Sequence, residues 1–162
     1  MPLIVISDTS PIRALHHLGL LPLCQQLYGR VMIPEAVRRE LLQGNAKCPS
    51  IDIVSMGAFE TRNPQFSPAS HHIPSDLDPG ESEAIALALE LRADLLLIDE
   101  RKGHFAAQQL GLQSIGVLGV LLEGKRRGLV PMVLPLVDQL GKGLGFFVTA
   151  TLRQHLAQLA GE

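Results

Sequence analysis

The sequence predicts an α/β domain built on a parallel sheet, and three observations carry that expectation. Short apolar runs alternate with helix-forming segments, most clearly from Asp78 to Arg127, a rhythm that implies parallel strands joined by right-handed crossovers. The chain is 46% hydrophobic but only 4% aromatic and has no Trp, so Leu, Ile, Val and Ala must fill the core, as they do in layered α/β proteins. Its 162 residues suffice for one domain with a true core and are too few for two comfortable ones.

Leu3 to Ser7 is expected as a buried strand and Pro11 to Leu18 as a short helix. Ser10 supplies an N-cap hydroxyl and Pro11 the first helical position, which leaves Asp8 too early to cap and free for another role. Leu20 to Tyr28 continues as helix and stops at Gly29. Val31 to Ile33 is a second strand, Pro34 opens a helix to about Gln43, and Ile51 to Val54 is expected as a third strand. From Gly57 to Asp76 the composition shifts to Pro, Ser, Asn and His, which reads as a long surface loop. Asp78-Pro79-Gly80-Glu81 then spells a capping box and the strongest helix start in the chain, for a helix running to Arg92. Asp94 to Ile98 is an apolar strand ending at Asp99, followed by helix 101–110, strand 114–117 and helix 118–127. Val130 to Glu162 reads as two helices separated by the Gly-rich 141–145 segment, an extension packing on the domain or on a partner.

Composition narrows the function classes. A net charge of −2 gives no global basic field, so contact with nucleic acid requires a local patch. Cys24 and Cys48 make neither a disulfide framework nor a metal knuckle and are expected as free thiols in a reducing compartment. The most apolar later stretch, 114–137, is broken by Glu123-Gly-Lys-Arg-Arg-Gly128 and cannot span a bilayer. With no basic leader after Met1-Pro2, a soluble cytoplasmic protein is expected.

The chemistry lies in acids at strand ends. Asp8 and Asp99 are each the first acid after an apolar strand, and in an open parallel sheet ligands gather outside those carboxyl ends. Glu40 falls beside the stripe of Ala36, Val37 and Leu41, where a carboxylate has to be paired, protonated or bound to a cation. In the helix after the capping box, Glu81 and Glu83 lie about 160° apart around the axis, so both cannot face one point. Glu81 has a structural job in the box, which makes Glu83 the better candidate, with Glu81 near it if the first turn bends. If Asp8, Glu40, Glu83 and Asp99 converge, each pair about 5 Å apart repels by roughly 3 kcal/mol at an effective dielectric near 20. A hard divalent cation relieves that repulsion. An oxygen-only ligand set favours Mg2+ or Mn2+ over Zn2+, and such an ion is apparatus for phosphodiester hydrolysis.

At these residues the chain resembles the PIN-domain ribonucleases, in particular a prokaryotic subgroup of VapC-like toxin relatives that begins ISDTSP. The likeness continues through LYGRVMIPEAVRREL and DPGESEAIALALELRADLLLIDERKG and, more weakly, into the C-terminal helices. It implies a three-layer α/β/α fold with a central parallel sheet over 1–162. It also implies that Asp8, Glu40, Glu83 and Asp99 hold Mg2+ or Mn2+ and activate water against RNA, making the chain a metal-dependent endoribonuclease. Ser10 matches a small hydroxyl residue that supports the first acid in the family. Glu83 stands where many relatives carry Asp, and Glu100 beside Asp99 either assists or merely solvates. Many of the family are toxins of toxin–antitoxin pairs, which implies a small antitoxin partner; a homodimer through apolar helix faces is also expected.

Arg101, Lys102 and His104 follow Asp99 on the same rim and are candidates for RNA phosphate contacts, against the plain alternative of a solvated helix face. The run Lys125-Arg126-Arg127 is weighed the same way. His71-His72 has no ligand spacing and reads as surface loop, His16-His17 as partly packed, and Phe146-Phe147 as a core or oligomer contact. Two rival functions remain: a catalytically inactive scaffold of the same fold binding RNA or a protein, and a receiver-like phospho-acceptor. The second wants an acidic pair at the first strand end and a late Lys at a strand end, and Asp8 stands alone between Ser7 and Thr9.

Overall fold

The computed structural model describes residues 2–162. Five short strands, β1 (Val5–Ser7), β2 (Val31–Ile33), β3 (Phe59–Thr61), β4 (Leu95–Leu97) and β5 (Ser114–Ile115), form one sheet in the order β3-β2-β1-β4-β5. Every pairing is parallel. Eight helices surround it: α1 (Thr9–His17), α2 (Pro22–Tyr28), α3 (Glu35–Gln43), α4 (Pro79–Leu91), α5 (Arg101–Gln109), α6 (Val117–Arg126), α7 (Leu134–Leu144) and α8 (Ala150–Ala160).

Successive strand residues point to opposite faces, and the core divides accordingly. Val5, Val31, Ile33 and Leu97 pack with Ile12, Leu15, Val120 and Leu121 in one buried cluster. Ile6, Leu96 and Ile98 pack with Ile85, Leu87 and Ala107 in the other. These two layers of helix around a parallel sheet are the three-layer α/β/α architecture that the sequence leads one to expect.

The chain builds β1, β2 and β3 outward in one direction, then returns to place β4 on the free side of β1. The order therefore reverses between β1 and β4, and the crevice outside their carboxyl ends is the topological switch point where α/β sheets bind ligands. Asp8 and Asp99 follow these two strands. The Asp8 amide extends the pairing by donating to the Leu97 carbonyl at 2.9 Å.

Three local expectations are corrected. The segment Ile51–Val54 is not a strand: it leads into a 3-10 turn over Ile53–Met56 that buries Ile51 and Ile53. The third strand is Phe59–Thr61, inside the segment expected as loop, and a second 3-10 turn covers Pro68–His71. The Gly-rich 141–145 segment does not separate the last helices; it forms the final turn of α7, which ends at Gly145 with φ of 70°.

Side chains fasten what the strands leave loose. Glu90 on α4 accepts from the backbone amides of Gln65 and Phe66 at 2.6 and 3.1 Å and bonds His71 Nε2 at 2.8 Å, so His71 is a fastener of the long loop rather than a free surface residue. Glu162 accepts from the amides of Val133 and Leu134 at 2.6 and 2.9 Å and from Lys125 Nζ at 2.9 Å. It supplies the cap that the start of α7 otherwise lacks. Through Val137, Leu140 and Leu156 these last two helices join the larger core cluster. Among the described residues no helix is long and apolar enough to cross a membrane.

Candidate metal centre

Helix α1 begins at Thr9, two residues before the expected start, and Asp8 occupies the position just outside it. The earlier start is permitted because proline at the third helical position lacks only an N–H that has no helical acceptor. Asp8 makes no side-chain cap bond even so. The residue is 2% exposed, and its Oδ1 is buried without a hydrogen-bond partner.

Three carboxyl groups gather here. Asp8, Glu40 and Asp78 each offer an oxygen within 4.8 Å of the others. Glu40 comes from α3, where Val37 and Leu41 face the core and carry position 40 to the edge of the buried side. The Thr9 hydroxyl donates to Glu40 Oε2, and Arg13 Nη2 donates to the Glu40 backbone carbonyl at 2.8 Å, so α1 holds both ends of that residue. Asp78 caps α4: its Oδ1 accepts from the Glu81 amide at 2.8 Å. Sequence reasoning assigned Asp78 to capping alone. The signal that it does more is that a helix starting at the switch point turns its own cap residue toward the crevice.

Gly80 makes room for this gathering. A Cβ on it would stand 2.8 Å from both Glu40 carboxylate oxygens and 3.1 Å from Asp8 Oδ1. The backbone of α4 thus approaches the acids more closely than a side chain allows.

Asp99 closes the other side of the crevice. Its Oδ1 accepts from the Val117 amide at 2.8 Å, while Oδ2 is buried without a partner. Gly116 gives that carboxylate its space, since a Cβ there would lie 2.3 Å from Oδ1.

Of the two acids on the first turns of α4, Glu81 turns inward. It is 5% exposed, and a Cβ on Gly103 would stand 3.0 Å from its Oε2. Glu83 is half-buried and lines a separate cavity with Glu35, Ala36 and Arg39. The structure does not bring it to the acids around Asp8. Ser10 lines a cleft that reaches Asp99 and lies within α1 rather than capping it. Glu100 is exposed at the position preceding α5 and makes no side-chain cap bond. Arg101 and Lys102 are exposed on the first turn of α5, and Lys102 pairs with Asp76 at 3.3 Å. Lys125 and Arg126 are tied to Glu162 and Glu123, and Arg127 to the Leu27 carbonyl.

The electrostatics follow from burial without compensation. Loss of water pushes the Asp8 carboxyl up to about 7, with Asp78, Glu40 and Asp99 adding to the rise against the lowering effect of the Thr9 amide. Burial likewise pushes Asp99 to about 6, against the lowering effect of the Val117 amide. Glu81 is raised by burial first and then by the neighbouring Asp78 carboxyl. Each pair of charges at about 5 Å costs roughly 3 kcal/mol at an effective dielectric near 20. No lysine or arginine forms an ion pair with Asp8, Glu40, Asp78 or Asp99 among the described residues.

The donor set fits a divalent cation. Hard oxygen ligands suit such an ion, Asp8 Oδ1 and Asp99 Oδ2 are buried and unpartnered, and the absence of a side chain on Gly80 leaves room beside them. Asp8, Glu40 and Asp78 are the residues that would hold it, with Asp99 facing the same crevice.

An all-parallel five-stranded sheet with acids at the ends of β1 and β4 defines a class of α/β protein with a carboxylate-lined switch point. A family model described as "PIN domain" matches residues 4–162, and the chain belongs to that family. No curated protein and no solved structure gives a significant match to the chain.

Proposed function

We propose that this chain is a divalent-metal-dependent endoribonuclease that hydrolyses RNA phosphodiester bonds at the crevice between β1 and β4. One observation carries the proposal: Asp8 is buried at the switch point with Oδ1 unpartnered, facing Glu40 and Asp78, and no lysine or arginine among the described residues forms an ion pair with these carboxylates. Membership of the PIN-domain family supports nuclease chemistry for such a site.

When bound, a divalent ion supplies Lewis-acid polarisation of a phosphodiester and eases deprotonation of water. The chain does the remaining work. Asp8 and Glu40 fix the position of positive charge, and the Thr9 hydroxyl holds the Glu40 carboxylate in one rotamer. Asp99 is oriented by the Val117 amide, which leaves Oδ2 free to accept a proton or a hydrogen bond from water. Glu81 retains its proton to higher pH than a free glutamate, which suits it to donating a hydrogen bond rather than adding another negative charge.

The test is direct. Wild-type protein is expected to bind Mn2+ in calorimetry and to cut single-stranded RNA in its presence, whereas Asp8→Asn loses both. Equal cleavage by the two proteins would refute the reading. A wild type that binds RNA but neither Mn2+ nor cuts would instead be the inactive scaffold. The finer reading, a cytoplasmic toxin neutralised by a small antitoxin, rests on the likeness of the sequence to toxin relatives. It is tested by growth on expression of the wild type and of Asp8→Asn, with and without the product of a short neighbouring frame.

A further inference from the structure

We infer that the cleft between α1, the loop after α3 and the end of α7 holds the RNA strand beside the bond being cut, with Lys47 and Arg13 facing its phosphates. The inference rests on the nuclease reading above and adds where the strand lies.

The need for such a site follows from the charge of the metal centre. Carboxylates around a crevice repel a polyanion over the last several ångströms of approach, within about one Debye length, so cations have to flank the crevice if RNA is to lie there. Of the two rim cations on α5, Lys102 pairs with Asp76 at 3.3 Å, and Arg101 is exposed but does not line the cleft that reaches Asp99. Arg13 and Lys47 form no ion pair with a carboxylate among the described residues. Both line one cavity of about 410 Å³ whose lining also includes Asp99. That volume falls in the range of about 300–1,000 Å³ typical of small-ligand sites, enough for one nucleotide.

The lining mixes the two chemistries a nucleotide needs. Arg13, Asn45 and Lys47 are polar and Ala14, Leu144 and Phe146 apolar, and Lys47 Nζ reaches to 3.4 Å from where a Cβ on Gly145 would stand. The phosphate meets the cations while ribose and base meet the apolar side chains.

Both cations are held by the fold. Arg13 is anchored through Nη2 to the Glu40 carbonyl, which ties its charge to the metal centre itself. Lys47 sits on a loop folded tightly back on α3. Gly44, with φ of 62°, leaves no room for a Cβ, which would stand 2.8 Å from the Ser50 amide nitrogen. Asn45 Oδ1 then accepts from the amides of Lys47 and Cys48 at 2.9 and 2.7 Å. Within that turn the Lys47 side chain is exposed, so it is presented by structure and not consumed by it.

The experiment measures binding of a short fluorescein-labelled single-stranded RNA by anisotropy, in EDTA so that no cleavage occurs, across a salt series. Mn2+ affinity of each protein is measured separately by calorimetry. Lys47→Glu is expected to weaken RNA binding roughly tenfold, and Lys47→Ala to reduce the slope of log affinity against log salt by about 0.7, the value for one phosphate contact on a single strand. Both variants should bind Mn2+ like wild type. Lys142→Glu, on a different cavity, should bind RNA like wild type. Unchanged RNA binding by Lys47→Glu overturns the assignment of the cleft, as does a parallel loss of Mn2+ affinity. A wild type that binds neither RNA nor Mn2+ overturns the nuclease reading itself.

Discussion

Gly80 faces Glu40 so closely that a Cβ on the glycine would stand 2.8 Å from both carboxylate oxygens. Replacement by Ala pits two effects against each other. Alanine favours helix over glycine by roughly 0.5–1 kcal/mol, yet here it pushes a carboxylate out of the acid cluster. Gly80→Ala is therefore expected to fold normally by circular dichroism and to bind Mn2+ at least about tenfold more weakly, a loss of about 1.4 kcal/mol. Unaltered Mn2+ affinity in calorimetry would show that the acids do not bind an ion at this spot.

Thr9 holds Glu40 from the opposite side through its hydroxyl. Thr9→Val keeps the shape of the buried side chain and removes the donor. A hydrogen bond to a charged group is worth about 1.5–3 kcal/mol, so a tenfold or greater weakening of Mn2+ binding is the expected result, checked by the same titration. Thr9→Ser restores the hydroxyl and should restore the affinity.

Metal binding should abolish the pH dependence of stability at this cluster. Asp8 is raised from its ordinary value near 4 to about 7 and Asp99 to about 6, both chiefly by burial. A group raised in the folded state binds more protons there than in the unfolded chain. Its contribution is complete at low pH and fades as pH climbs through the folded value. The metal-free melting temperature should accordingly fall between about pH 4 and pH 7, and Mn2+ should remove the fall because it replaces the protons. Asp8→Asn in EDTA should flatten the same profile. Thermal melts in EDTA and in Mn2+ across that range decide it.

Glu162 governs stability without touching the site. Glu162→Ala strips the amides of Val133 and Leu134 of their acceptor and Lys125 of its partner. A loss of about 1 kcal/mol, the scale of an N-cap, should appear in denaturant unfolding. Its carboxyl is held below the usual range by these amides and by Lys125, despite its burial, so the contribution is present at neutral pH and lost on acidification. Mn2+ affinity should not change.

Glu81 and Glu83 separate by direction. Glu81→Gln is expected to alter the pH dependence of Mn2+ binding, because its carboxyl lies beside Asp78 and Asp8. Glu83→Gln, on the side of α4 toward Glu35 and Arg39, should leave that profile unchanged.

These last two residues also mark how far the sequence can be trusted. Helical geometry says plainly that Glu81 and Glu83 diverge, but which one faces the crevice depends on how α4 is rotated against β1, a tertiary quantity. The capping-box role of Glu81 and the family pattern both favoured position 83, and the burial of Ala84, Ile85 and Ala86 around nearly the whole helix left no amphipathic stripe to orient it. Asp8, Glu40 and Asp99 were legible because a strand end or a stripe edge fixes where each residue lies. The strands β1, β2 and β4 were legible as apolar runs, while β3 was not. Phe59, Glu60 and Thr61 form an edge strand whose only sheet neighbour is β2, and two of its three residues are half-exposed. The Gly-rich turn of α7 failed for the opposite reason. A Cβ at Gly143 would collide with the His17 ring at 2.0 Å, and one at Gly141 would meet the Phe147 ring at 3.2 Å, so packing holds in helix a stretch whose intrinsic propensity opposes it.

The strand order has a consequence for synthesis. Because β1 lies between β2 and β4, a growing chain can pair its first three strands while the other edge of β1 stays bare until Leu95–Leu97 emerges. By the end of that interval Asp8, Glu40 and the α4 cap Asp78 have all been made, but Asp99 has not. The unpaired edge is a template for unwanted strand pairing. The step that covers the exposed strand is thus also the one that carries Asp99 to the crevice beside Asp8.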